Sequence, residues 1–264
     1  MRRLGQHFLK DKRVLERIAN ILEIKPTNTI IEIGPGHGEL TKYLLDKSPK
    51  KIIAVEKDEN LALEIKNQKL GDGVLEIIEG DILKILPDII KTHNLKSGSY
   101  KIVGNIPYYI TGKLLRTLGE LEQKPEQIVL TIQKEVAERI TAEPPKMNLL
   151  SASVKYWGTP EIIRFISKKA FRPQPKIESA IISIKPHKKA PTTTESKTYY
   201  AIMKILFKQP RKTISNNLKN GTNLTKKEVE TLLLSLRIEP NLRPQNLSID
   251  TINNLSHNIA LNRL

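Results

Sequence analysis

Cysteine is absent from the 264-residue chain, which excludes disulfides, thiolate metal sites and a cysteine nucleophile. Histidine is sparse. His7, His37, His93, His187 and His257 are scattered with no pair at metal-ligand spacing, so no metal is expected. Long apolar runs are also missing: no stretch of about 18 apolar residues occurs, and neither a membrane span nor a membrane partner is expected. The opening "MRRLGQHFLKDKRV" lacks the apolar core of a secretory leader, which makes a cytoplasmic location the default. Negative charge is in short supply as well, with 28 Asp+Glu against 44 Lys+Arg and a net +16. Such a field attracts polyanions and makes nucleic acid the leading partner, although a solubilising lysine surface would give the same total. Its distribution favours the first reading, because residues 186–264 carry 13 Lys/Arg against 5 Asp/Glu, a net of +8.

What remains is an ordinary globular composition, 39% hydrophobic and 27% charged, in a chain long enough for one large domain and a smaller one. Between residues 29 and 185, β-rich runs alternate with helical patterns, the signature of a mostly parallel sheet wound with helices. Strands are expected at 29–33, 51–55, 75–78, 101–104, 127–132, 162–166 and 179–184, seven in all. Helices are expected at 11–23, 38–47, 58–68, 111–121, 134–141 and 148–156. The last two strands are joined by "SKKAFRPQPKIE", too short and proline-rich for a crossover helix, which predicts an antiparallel strand at one edge. The fold class is thus α/β, Rossmann-like, over residues 1–186. A polar linker at 187–197 then leads to a small all-α domain at 198–264, where "TKKEVETLLLSL" follows a Thr225 cap.

"IIEIGPGHGEL" places Gly34, Gly36 and Gly38 between the first strand and a helix, where the backbone can turn sharply and approach a ligand. The spacing is GxGxG, so the GxGxxG dinucleotide fingerprint is not met. A tight strand-to-helix turn would read the same way. Context adds weight: Glu56 ends the second strand 22 residues after Gly34, where an acid accepts from ribose hydroxyls, and Asp81 follows the third. Each acid alone could be a surface charge. Together, on strand ends that face one crevice, they suit an adenosine-bearing ligand without a pyrophosphate, such as S-adenosylmethionine, whose sulfonium the electronegative strand ends would favour. Glu32 adds to that field or is a buried partner for some lysine or backbone donor.

After the fourth strand comes Asn105-Ile106-Pro107-Tyr108. An exocyclic adenine amine is a poor nucleophile because its lone pair is delocalised, and it needs acceptors more than a base. The Asn105 side-chain oxygen and the Ile106 carbonyl could each accept one N–H and fix the nitrogen. Pro107 restricts the bend, and Tyr108 can stack on a base swung out of its RNA. A proline turn with a capping amide and a core tyrosine fits the tetrapeptide equally well in isolation.

The motifs "LGQHFL" (4–9), "EIGPGHGELT" (32–41), "VEKD" (55–58), "GDIL" (80–83), "VGNIPYYI" (103–110), "QKEVAERI" (133–140), "FRPQPKIESAII" (171–182) and "RPQNLSID" (243–250) occur in order along the chain. In these the sequence resembles the small-subunit ribosomal RNA adenine dimethyltransferases. The resemblance implies S-adenosylmethionine as cofactor and dimethylation of N6 on two adjacent adenines near the 3′ end of 16S-type RNA, in the immature small subunit. By motif it implies that His7, Leu9, Gly34, Gly36, Glu56, Asp81, Ile82 and Asn105 contact the cofactor. Asp81 would lie near its adenine, Glu56 at its ribose and Asn105 at the point of transfer. Asn105, Ile106, Pro107 and Tyr108 would form the catalytic motif, with Phe171 facing the target base opposite Tyr108.

Two departures stand out. Pro210 in "FKQPRKTISNNL" occupies a position where an arginine is expected, leaving Lys208, Arg211 and Lys212 as the RNA-contacting cations there. Glu178 replaces a common aspartate with charge retained. Two alternatives share parts of the pattern: an adenine methyltransferase of large-subunit RNA that confers antibiotic resistance, and a non-enzymatic RNA-binding assembly or transcription factor on the same fold. Nothing demands a partner chain, and a monomer is expected.

Overall fold

The computed structural model describes residues 7–71, 73–188 and 193–259. Residues 4–6 of the first motif, 189–192 of the linker and 260–264 of the last helical run lie outside the described residues. Contacts divide the chain into two compact units, Met1–Ala137 with Thr159–Pro186 and Glu138–Gly158 with His187–Leu264.

In chain order the first unit contains β1 (Phe8–Leu9), α1 (Lys12–Ile21), β2 (Thr29–Ile33), α2 (Glu39–Leu45), β3 (Lys51–Glu56), α3 (Glu59–Asn67), β4 (Leu75–Glu79), α4 (Ile82–Thr92), β5 (Tyr100–Asn105), α5 (Thr111–Glu120) and β6 (Gln127–Gln133). The boundary falls within α6 (Lys134–Thr141), and α7 (Leu149–Lys155) lies in the second unit. The chain then returns through β7 (Gly158–Ile166), β8 (Phe171–Arg172) and β9 (Ser179–Pro186). Seven strands form one sheet in the order β4-β3-β2-β5-β6-β9-β7, while β1 and β8 pair in a separate two-stranded ribbon. The pairs β3/β4, β2/β3, β2/β5 and β5/β6 are parallel. β9 runs antiparallel to β6 and lies one place in from the edge, with β7 outside it.

β2 is "TIIEI" with every residue buried, as a central parallel strand covered on both faces must be. α1 covers the sheet through Leu15, Ile18 and Ala19 and starts at Asp11, whose carboxylate accepts the Arg13 and Val14 N–H groups. The helix α4 was not among those expected. Its sequence "ILKILPDIIKT" carries Pro87, yet Ile82, Leu86, Ile89 and Ile90 are buried at helical spacing, and that apolar face outweighs the hydrogen bond lost at the proline.

Strand order reverses around β2: the chain moves outward through β3 and β4, then returns to place β5 on the other side of β2. Such a switch point opens a crevice at the carboxyl ends of the strands, here between Ile33 and its β5 partner Gly104. Gly104 is required by that closeness, because a Cβ there would come within 2.7 Å of the Ile33 carbonyl oxygen.

The second unit is helical: α7 joins α8 (Thr193–Leu206), α9 (Ile214–Gly221), α10 (Lys226–Ser235) and α11 (Ile249–Asn258). Tyr156 stacks on Tyr199 with ring centroids 3.8 Å apart, and the Tyr199 hydroxyl donates to the Ala152 carbonyl at 3.0 Å. These contacts group residues 138–158 with the C-terminal helices, although the sequence assigns that segment to the stretch of alternating strands and helices. Ile202, Leu206, Ile214, Leu218, Val229 and Leu233 belong to the same core. α10 opens with a reciprocal cap between Thr225 and Glu228.

Candidate active site

β2 ends in a left-handed turn, with Gly34, Gly36 and Gly38 at φ of 66°, 59° and 82°. Side chains rarely adopt such angles, and at Gly36 a Cβ would also sit 3.0 Å from the Phe8 ring. The three N–H groups of these glycines are used within the protein. Gly34 donates to the Val55 carbonyl (2.9 Å), Gly38 to the Pro35 carbonyl (2.9 Å), and Gly36 to Glu56 Oε2 (3.1 Å). The loop therefore has no free glycine N–H with which to cradle a phosphate.

Glu56 is buried at the end of β3, and its Oε1 accepts from the N–H groups of Lys57 (2.8 Å) and Asp58 (3.0 Å). Three of the roughly four acceptor positions of a carboxylate are thus occupied, leaving one on Oε2. One ribose hydroxyl fits there directly, and a second would have to share with Gly36. Gly80 donates to the Glu56 carbonyl (2.8 Å), which sets Asp81 beside it at the start of α4. Asp81 accepts from the Leu83 N–H (3.1 Å) and from Lys57 Nζ (2.9 Å), and the bond with Lys57 holds its carboxyl below the usual range.

Glu32 has the opposite environment. It is 1% exposed with Thr41 Oγ1 donating to it at 2.8 Å, and burial pushes its pKa up to about 8, with further repulsion from Glu39 and Glu56. It is a buried acid, and its partner is the threonine hydroxyl of Thr41 instead of the lysine or backbone donor expected for a buried Glu32.

Asn105 ends β5, and its Nδ2 donates to the His7 carbonyl at 2.8 Å. A carbonyl can only accept, so the amide nitrogen must face His7 and Oδ1 is left as an acceptor. Ile106 donates its N–H to the Thr131 carbonyl (3.0 Å), anchoring the next turn to β6. Tyr108 shares a hydrogen bond with Ser179 (2.9 Å), and its ring stacks with that of His7 at 6.1 Å between centroids. The N-terminal arm is held in turn by the ribbon, in which Phe8 pairs with Arg172 and Leu9 with Phe171, and by His7 Nδ1 against the Pro173 carbonyl at 2.8 Å.

One cavity brings together His7, Gly34, Gly36, Glu56 and the whole of Asn105 to Tyr108, with Phe171 at its inner wall. Phe171 is only 1% exposed and packs with the core around Leu9, Leu15 and Ile166. Leu9 lines an adjoining recess with Glu32 and Glu39. Asp81 and Ile82 stand outside the cavity wall, and Ile82 is buried on the first turn of α4. Lys208, Arg211 and Lys212 are exposed in the second unit, on the turn between α8 and α9. Asn217 Nδ2 ties that turn down through the Gln209 carbonyl (3.0 Å), and Pro210 lies within it, ahead of a helix that begins at Ile214 behind a Thr213 cap. Phe8 was missed by sequence reasoning. It lines the cavity, presses on Gly36, and packs its ring on His37 at 4.7 Å; its place between His7 and Leu9 was the available signal.

Among the described residues no cluster of three or more His, Asp or Glu is poised to hold a metal, and no helix is long and apolar enough to cross a membrane. The family model described as ribosomal RNA adenine dimethylase matches residues 1–261. A ribosomal RNA small subunit methyltransferase A of Dehalococcoides mccartyi (strain ATCC BAA-2266 / KCTC 15142 / 195) is 38% identical, over 94% of this chain and 84% of that one. One of Bacillus cereus (strain AH187) is 35% identical, over 99% and 91%. Among solved structures, a dimethyladenosine transferase from Plasmodium falciparum superposes with a TM-score of 0.78 at 26% identity, covering 95% of each chain. With a glycine turn, a buried carboxylate at Glu56 and an oriented asparagine at one switch point, and a family match over nearly its whole length, the chain belongs to the ribosomal RNA adenine dimethylases.

Proposed function

We propose that the protein dimethylates N6 of two adjacent adenines near the 3′ end of small-subunit ribosomal RNA, acting as a cytoplasmic monomer on the immature small subunit. The observation that carries this reading is the orientation of Asn105, whose nitrogen is committed to His7 and whose oxygen is an acceptor at the cavity. The names of the curated relatives support the choice of subunit.

The family cofactor is S-adenosylmethionine, which supplies an electrophilic methyl group on a cationic sulfur. The donor set fits it: the turn has no glycine N–H left for a pyrophosphate, Glu56 keeps one acceptor position, and Glu56 and Asp81 lend the strand ends negative charge. Glu56, the turn at Gly34 and Gly36, and Asp81 beside them would hold it, with His7 and Asn105 closing the opposite wall.

On the substrate side, two acceptors hold the adenine amine: Asn105 Oδ1 and the Ile106 carbonyl. Accepting both N–H bonds localises the nitrogen lone pair and stabilises the positive charge that grows on nitrogen as it takes up a methyl. Glu56 is engaged on the cofactor side, its carboxylate already accepting from three backbone N–H groups. The displaced proton leaves to solvent. Tyr108, aimed by Ser179, offers its ring face to the base.

Unmodified small and large ribosomal subunits, incubated separately with the protein and labelled cofactor, test the assignment. Label in the small-subunit RNA is expected. Label confined to the large subunit would overturn it in favour of the antibiotic-resistance type of enzyme.

A further inference from the structure

Beside the cavity the first unit carries a group of cations that neither the cofactor nor the base requires. Lys12 and Arg13 are exposed on the first turn of α1. Lys168 and Lys169 are exposed on the turn before β8, and Arg172 is exposed on β8 itself. Backbone pairing brings the two segments together: Lys10 and Asp11 both donate their N–H groups to the Ala170 carbonyl, at 2.8 and 3.3 Å, and Phe8 pairs with Arg172. Alternation along β8 turns Phe171 inward to the cavity and Arg172 outward, so the surface is one residue from the cavity wall.

None of the five forms an ion pair among the described residues, unlike neighbouring Lys10, which is paired with Glu39. Asp11 caps α1 through the Arg13 and Val14 N–H groups, and Glu16, exposed on the same helix, forms no ion pair with Lys12 or Arg13. The Arg172 guanidinium is held against the Phe171 and Lys169 carbonyls at 3.2 and 3.4 Å, fixing its charge on the surface. Unpaired surface cations concentrated at the edge of a cavity are an electrostatic track for a polyanion.

We propose that Lys12, Arg13, Lys168, Lys169 and Arg172 form a second RNA-contacting site, in the first unit, that grips the ribose-phosphate backbone flanking the adenine presented to Asn105. This rests on the RNA-methylating function proposed above. It differs from the site at Lys208, Arg211 and Lys212, because it belongs to the catalytic unit itself.

The test is the affinity of the full-length protein for transcribed small-subunit ribosomal RNA at several KCl concentrations, with calorimetric binding of S-adenosylmethionine as the second readout. K12Q/R13Q/K168Q/K169Q should weaken RNA binding at least tenfold and make the slope of log affinity against log salt shallower by about 3, at roughly 0.7 per lost single-strand phosphate contact. Cofactor affinity should not change. The charge-preserving K12R/R13K/K168R/K169R should keep both the RNA affinity and the slope. An unchanged slope in the neutral variant, or equal losses in both variants, would overturn the site. Wild-type protein that leaves small-subunit RNA unmethylated would instead overturn the function on which the site rests.

Discussion

The Asn105 side chain donates to the His7 carbonyl at 2.8 Å, joining the end of β5 to the arm that precedes β1. That bond decides which end of the amide meets the substrate. Asn105→Ala removes the acceptor and should cut methyl transfer at least about a hundredfold, as loss of one preorganised polar group does, with RNA affinity nearly unchanged. Asn105→Asp keeps an acceptor at the cavity but turns a second oxygen toward the His7 carbonyl, so it should be nearly as inactive. Single-turnover rates with saturating RNA check both; an active Asp variant would show that the tie to His7 is dispensable.

Gly36 combines a φ of 59° with a Phe8 ring 3.0 Å from where a Cβ would stand. Gly36→Ala should destabilise the protein by about 1–2 kcal/mol through the left-handed backbone alone. It should also weaken cofactor binding, because the ring can yield only by shifting the arm that carries His7. Chemical denaturation together with calorimetry measures the two effects separately.

Glu32 should make stability depend on pH. Its pKa in the folded chain is about 8 against an ordinary value of 4.5, so the folded chain retains a proton that the unfolded chain releases. Between those values the folded state binds more protons, and stability falls as pH rises from about 4.5 to 8. By pH 7 the penalty is about 3 kcal/mol, at 1.36 kcal/mol per pH unit. Glu32→Gln, which can still accept from Thr41, should remove that slope and be the more stable protein at pH 8. Urea midpoints from pH 5 to 8 check this; parallel profiles for the two proteins would contradict it.

Lys208, Arg211 and Lys212 are exposed on one turn of the second unit. Their replacement by glutamine should flatten the salt dependence of RNA binding by about 2 in log–log slope, at roughly 0.7 per contact. Pro210 in the same turn supplies no charge, so Pro210→Arg should steepen it. Filter binding at graded KCl reads both changes.

Much of the catalytic unit was legible because it is written in short-range signals. "TIIEI" has nowhere to go but a buried strand, and three glycines after it mark the turn. Asn105 and Glu56 could be brought to one crevice because parallel strands end on one side. What was not legible depends on longer-range packing. The ribbon of β1 and β8 has two residues per strand, too few for any periodicity, yet it pins Phe8 against Gly36. Pro87 masks α4 in the sequence, and the stacking of Tyr156 on Tyr199, which places α7 in the helical unit, has no local sequence signal. The engagement of Glu56 by three N–H groups is likewise a property of the folded turn and of no residue type.

The reaction product is the most direct test of the proposed activity. Small ribosomal subunits lacking the modification, incubated with the protein and S-adenosylmethionine, should give on nuclease digestion and mass spectrometry one fragment near the 3′ end of the RNA with two adjacent N6,N6-dimethyladenines. Asn105→Ala protein should leave that fragment unmodified. A digest with no methylated adenine in the small-subunit RNA, from protein that binds the cofactor, would contradict the account.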